Sequence, residues 1–216
     1  PNTVGLAVLA FIIVVAAGVP LGIFVAKYNE SKWGMLYNAV TQVGIAIPAF
    51  FFAMILIIII CIKLQWLPVS AYVPLSKGLL PFLRGMLLPA IAVSFSGVSI
   101  TVRYVRNSIV EELNSDYVLA AKNKGVKERD ILYKHVLRNA MIPIVTILGM
   151  IFVSIVTGSI IIETVFSIPG IGSLLIAAIK TSDLTLTQGI CVYISIVVIL
   201  AYLLLDILYM VIDPRI

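Results

Sequence analysis

The chain has 216 residues, 62% of them hydrophobic and 12% charged, with a formal net charge of +5 and a mean hydropathy of +1.16. Soluble domains run at about 45–50% apolar and about 25% charged, so too few polar residues remain to cover a water-facing surface, and the composition points to an all-α polytopic membrane protein. The positive charge is not a nucleic-acid signature, because the basic residues stand in loops beside apolar segments, where they set topology, and two cysteines are too few for a metal cage or a disulfide framework.

A spanning helix needs about 20 mostly apolar residues, and five segments qualify: 4–26, 39–62, 86–107, 143–166 and 189–212. In the first, Gly18 and Gly22 form a small-xxx-small pattern interrupted by Pro20; in the fourth, Ser154 and Gly158 repeat that spacing. Such faces suit close helix packing, while Pro20 in the first span and Pro48 in the second also suit a hinge or gate. Cys61 and Cys191 fall near one end of their spans and read as small buried hydrophobes, or as a pair able to bridge. The third span carries polar positions Ser94, Ser96, Ser99 and Thr101, and the fourth Ser154 and Thr157; these are the candidates to line a translocation path. The segment 167–187 is apolar at 171–179, too short to span, and reads as a re-entrant or surface helix at the outer mouth. Charges inside spans are functional candidates by default. Glu163 contacts a cationic substrate terminus or holds the adjoining "SIPGIG" turn, and Asp206 in the fifth span pairs with a neighbouring span or a basic residue.

If all five segments span, eleven Lys and Arg residues lie on one side and four on the other. The positive-inside rule then makes loops 27–38 and 103–142 and the C-terminus cytoplasmic and the first residue external. Trp66 and Tyr72 stand where an outer aromatic belt would be. An external start without a signal sequence or a Met suggests an omitted earlier span.

The middle of the chain breaks the apolar pattern. Residues 116–144, "DYVLAAKNKGVKERDILYKHVLRNAMIPI", hold nine of the 25 acidic and basic residues and the single histidine. Asn114 or Ser115 can cap a short helix that opens on Asp116 and ends on Lys122 and Lys124, matching the helix dipole. Gly125 supplies a left-handed stop. A second amphipathic helix follows over about 127–139, with Lys127, Asp130, Lys134 and Arg138 on one face and Leu132, Val136 and Ala140 in a row on the other. Asp130 and Lys134 are in the favourable i, i+4 order. Such a hairpin either lies on anionic headgroups or docks a soluble partner.

These residues resemble the cytoplasmic "EAA" loop of ABC transporter permeases, the membrane subunits of binding-protein-dependent importers. Ala120, Ala121 and Gly125 match that pattern, as does Leu137. Leu119 replaces its glutamate and His135 its isoleucine, and Arg138 stands where proline is expected, with Pro143 later. Those departures are similar to the dipeptide, oligopeptide and nickel branch, as are "WLPVS" at 66–70, "ETVFSIPGIGSLL" at 163–175 and "DILYMVIDPRI" at 206–216.

The resemblance implies a type I importer permease in a prokaryotic inner membrane, with five spans, two short cytoplasmic coupling helices in a 112–141 loop, and a first span and external domain lying before residue 1. It implies a second homologous permease subunit, two ATP-binding subunits that carry ATP and Mg, and an external solute-binding protein. It places coupling at Asp116, Ala120, Ala121, Gly125, Arg129, His135, Leu137, Arg138 and Asn139. The chain has no G-x-x-x-x-G-K-[ST] loop to cradle phosphates and no catalytic triad or metal cluster, so it is read as a permease and not an enzyme, with no cofactor of its own and no nucleic-acid partner. A secondary transporter or channel would want carboxylates near the bilayer midplane, and Glu163 and Asp206 are both off-centre. A non-transporting assembly protein would leave the serine rows unexplained. Dipeptide, oligopeptide, nickel complex and some sugars all remain open as cargo.

Overall fold

The computed structural model describes residues 2–28, 31–68 and 72–212, without the side chains of 32, 33, 35, 204–206 and 208–212. Asp206, Lys32 and Arg215 therefore lie outside the described side chains. The chain order is helix throughout: α1 (Asn2–Lys27), α2 (Lys32–Ala46), α3 (Ala49–Lys63), α4 (Leu79–Leu113), α5 (Asp116–Asn123), α6 (Glu128–Val165), α7 (Ile171–Lys180) and α8 (Leu184–Ile212). Among the described residues there is no strand. α1, α4, α6 and α8 are each long and apolar enough to cross a membrane, and α2 with α3 makes a fifth crossing if the pair is one broken span. With no water in hydrocarbon to take backbone hydrogen bonds, closed helices are what this composition must form.

α4 is the central post, packed by α1, α2, α3 and α6. Small residues set how close these helices come. A Cβ on Gly18 would meet the Thr101 side chain at 2.8 Å, and one on Gly97 would meet Val14 at 2.9 Å and Ile151 at 3.1 Å. The Gly18 and Gly22 stripe is thus a contact face against Thr101 and Val105. Leu6, Ala10, Val14, Met86, Ala90, Val105, Ile109, Ile144 and Ile162 fill the core between these helices.

The two prolines behave differently. α1 runs through Pro20 as one helix, with a π-helical turn over Val14–Gly18 immediately before it. The widened turn takes up the missing N–H and the ring bulk that would otherwise break the helix. At Pro48 the second span does break: Ile47 is extended (ψ 120°), as a residue before proline prefers, and the two halves meet at 101°. The second span, read above as one helix over 39–62, is therefore two.

Helix limits also differ at the hairpin end. α4 runs on to Leu113, and α6 begins at Glu128 and continues to Val165 without interruption. The second short helix of the hairpin is thus the first three turns of the fourth span, because no breaker stands between 128 and 143 and Pro143 is carried within the helix.

Candidate functional site

The polar hairpin is built by two backbone stops. Ser115 sits in the N-cap position with extended backbone (ψ 154°), but its hydroxyl donates back to the Glu112 carbonyl at 2.6 Å instead of capping α5, and the Asn114 amide donates to the Val110 carbonyl. The capping expected of these residues is therefore absent. α5 ends as expected. Gly125 has φ +77°, its N–H donates to the Lys122 carbonyl, and the Val126 N–H reaches back to the Ala121 carbonyl at 3.2 Å, a Schellman closure. Lys127 is extended, and α6 restarts with acidic Glu128 and Asp130 in its first turn, where the helix dipole favours them.

Val118 and Ile131 anchor the hairpin, both buried in the main core, with Val136 and Ala140 continuing the row along α6. The inward row thus begins at Ile131, one residue before the Leu132 expected from an ideal α repeat. The cause is a π-helical turn over Ile131–Val136, whose longer period shifts the face by about one residue. Outward stand Asp116, Ala120, Gly125, Arg129, His135, Arg138 and Asn139, with Ala121 and Leu137 half-buried. Lys134 and Asp130 form the i, i+4 ion pair at 2.9 Å, both well exposed, so it is worth only about 0.3–0.5 kcal/mol. The Tyr117 hydroxyl donates to Glu112 Oε2 at 2.6 Å; partial desolvation, then this bond, push its phenol pKa up. The hairpin also leaves Tyr117, Leu119, Val126 and Tyr133 exposed beside its charges. These apolar residues were not among the expected coupling positions. Their signal in the sequence is that they interrupt the polar pattern of the hairpin.

At the other end of the molecule Glu163 is fully buried near the end of α6. Its Oε2 accepts the N–H groups of Gly172 at 2.8 Å and Ser173 at 3.1 Å, the first-turn amides of α7. A carboxylate is the group that such a helix start favours. Ser167 adopts φ +53° and the Ile168 N–H returns to the Glu163 carbonyl at 2.8 Å, closing α6 and turning the chain back. A Cβ on Gly170 would fall on the Glu163 carboxylate, and one on Gly172 on the Ile160 backbone. The same loop is tied to α1: Asn2 Nδ2 donates to the Pro169 carbonyl at 2.6 Å and to the Tyr72 hydroxyl at 2.9 Å, and the Ile171 N–H donates to Thr3 Oγ1 at 3.0 Å. Of the two roles open to Glu163, this geometry supports holding the turn.

The polar span positions divide into two sets. Ser94, Ser99 and Thr101 are buried on α4 and donate to their own helix, at the Ile91, Phe95 and Gly97 carbonyls. Ser99 and Thr101 also face Gly44 and Gly18. Ser96 is half-buried, while Ser154 and Thr157 are exposed on α6. Cys61 is buried and Cys191 exposed, both free thiols.

Residues 18–216 match the family described as binding-protein-dependent transport system inner membrane component. Among similar curated proteins, the putative peptide transport system permease protein of Brucella suis biovar 1 is 34% identical over 216 residues, all of this chain and 69% of that protein. The oligopeptide transport system permease protein AppB of Bacillus subtilis is 33% identical over 220 residues, and OppB of Haemophilus influenzae 34% over 216, with the same two coverages.

Proposed function

This chain belongs to the family of binding-protein-dependent transport system inner membrane components, and on that premise we propose that it is one permease half of an ATP-driven peptide importer, worked through its polar hairpin by separate ATPase subunits. The observation that carries the coupling role is the hairpin itself. It is pinned to the core by Val118 and Ile131 and shaped by Gly125, yet it presents both charges and uncovered apolar side chains outward. A helix lying on headgroups would turn its apolar residues toward the bilayer and core. Leu119 and Tyr133, each more than half exposed, are what a protein docking face offers instead. Because α6 carries the second arm of the hairpin directly into the fourth span, force applied there reaches the membrane with no loop in between.

In this reading the hairpin faces the cytoplasm, two ATP-binding subunits hold ATP and Mg beneath it, a second permease completes the path, and an external binding protein delivers the cargo. Peptide is the cargo favoured by the names of the relatives above; a nickel complex is the runner-up. The working groups of this chain are the exposed Asp116, Ala120, Arg129, His135, Arg138 and Asn139, which would touch the ATPases. The test is charge reversal at Asp116 and Arg129 with Gly125→Val, reading copurification of the ATPase subunits and ATP-dependent peptide uptake. Normal values for both would remove the coupling role, and peptide uptake driven by an ion gradient without ATP would remove the motor.

A further inference from the structure

The break in the second span leaves an anomaly that packing does not explain. α2 ends at Ala46 and α3 starts at Ala49. Across the gap the Ile47 N–H reaches the Val43 carbonyl and the Phe52 N–H the Pro48 carbonyl. Among the described residues, no hydrogen bond reaches the amides of Ala49, Phe50 and Phe51 or the carbonyls of Gly44, Ile45, Ala46 and Ile47. The gap is open, with Ala46, Pro48, Phe50 and Phe51 exposed, and one turn back on α2 the polar Gln42 is exposed as well.

The depth of this gap follows from its contacts with α4. Gly44 lies against Ser99, and Phe52 stacks on Phe95 with ring centroids 3.7 Å apart. At about 1.5 Å per helical residue, that level is about 6–12 Å along α4 from Arg103 on the hairpin side and at least about 16 Å from Arg84 on the other. The break is therefore at hydrocarbon depth. Lipid does not tolerate irregular, unpaired backbone at that depth; only protein burial or a water-filled cavity does.

Resting on the peptide-importer reading above, we infer that the break at 46–49 forms part of the wall of the water-filled translocation path, and that its unpaired amides and carbonyls meet the backbone of the passing peptide. Water satisfies these groups when the path is empty. A peptide brings complementary C=O and N–H groups whatever its side chains, so contact through backbone alone passes varied sequences, with Phe50 and Phe51 as apolar neighbours. The buried serines of α4 are engaged within the chain, and this wall does not depend on them.

The test uses the complete transporter in proteoliposomes, with Cys61 and Cys191 replaced by serine and single cysteines at Ala46 and Phe51. A charged, membrane-impermeant thiol reagent is applied. Both cysteines should react about tenfold or more faster than a cysteine at Ile199, which is exposed on α8 and has no break beside it. With the binding protein omitted, a tripeptide at millimolar concentration should slow the reaction severalfold, and its backbone N-methylated analogue should not. Pro48→Ala, which lets the helix close, should remove the fast reaction while the ATPase subunits still copurify. Labelling no faster than at Ile199 would overturn the aqueous wall, and equal protection by the two tripeptides would overturn backbone contact. Absence of ATP-driven peptide uptake by the unmodified transporter would instead sink the importer reading, leaving the labelling result to be judged by itself.

Discussion

Glu163 shows how a membrane helix tolerates a buried carboxylate. Its Oε2 accepts two first-turn amides of α7, and the two glycines that approach it leave no room for a Cβ. The role of the side chain is to accept hydrogen bonds, so the amide should substitute for the acid. Glu163→Gln should change the unfolding free energy of the purified protein by less than about 1 kcal/mol, whereas Glu163→Ala should cost about 1–3 kcal/mol for each amide left unpaired. Thermal unfolding in detergent separates the two, and equal losses would mean that the charge itself matters. Gly170→Ala places a methyl on that carboxylate and should cost about 1–3 kcal/mol by overpacking, in the same assay. Sequence left Glu163 between two roles because the donors it accepts from are backbone amides nine and ten residues on, brought back only by the turn at Ser167. The polar character of Ser99 and Thr101 was equally plain, but their burial depends on which face of α4 the glycines of other helices approach.

At the scale of the element, hydropathy made the helices legible and backbone detail did not. The long apolar runs, the left-handed Gly125 and the Asp130–Lys134 pair all follow from local chemistry. The fate of the two prolines does not: Pro20 stays inside a helix held to Thr101 and Val105 through Gly18 and Gly22, while Pro48 breaks one. Nor does the π-helical turn that moves the inward row from Leu132 to Ile131. For the hairpin, Gly125 carries a definite expectation. No atom lies within 4 Å of where its Cβ would be, so substitution there meets backbone strain alone, about 1–2 kcal/mol for an ordinary L-residue in the left-handed region. Asparagine, which tolerates that region better than most residues, should preserve hairpin function better than the smaller alanine, and valine should be worst. Copurification of the ATPase subunits should rank the variants glycine, asparagine, alanine, valine. A ranking by size alone would show that crowding, not φ, decides.

The whole molecule is packed on one side and open on another. α4 is enclosed by four helices, whereas α8 is mostly exposed over Leu184–Leu203 and α6 shows Met150, Ser154, Thr157, Gly158 and Ile161 along one face. That asymmetry fits the proposed pairing with a second permease, and the glycines give a way to ask whether such a partner covers the open face. Gly18 is closed in by Thr101, while a Cβ on Gly158 meets nothing within 4 Å in this chain. Gly18→Ile should therefore damage the fold of the single chain by about 1–3 kcal/mol or more. Gly158→Ile should leave it within about 0.5 kcal/mol, as surface substitutions do, and could even gain slightly from the loss of a helical glycine. If a partner helix approaches closely over Ser154 and Gly158, as small-residue faces in membranes allow, the same Gly158→Ile change should strongly reduce copurification of the second permease while the chain itself remains folded. Measuring thermal unfolding of the purified chain alongside pull-down of its partner resolves the cases. A Gly158→Ile variant that folds and still assembles in full would mean that this face meets lipid or the aqueous path, and that the second subunit packs elsewhere.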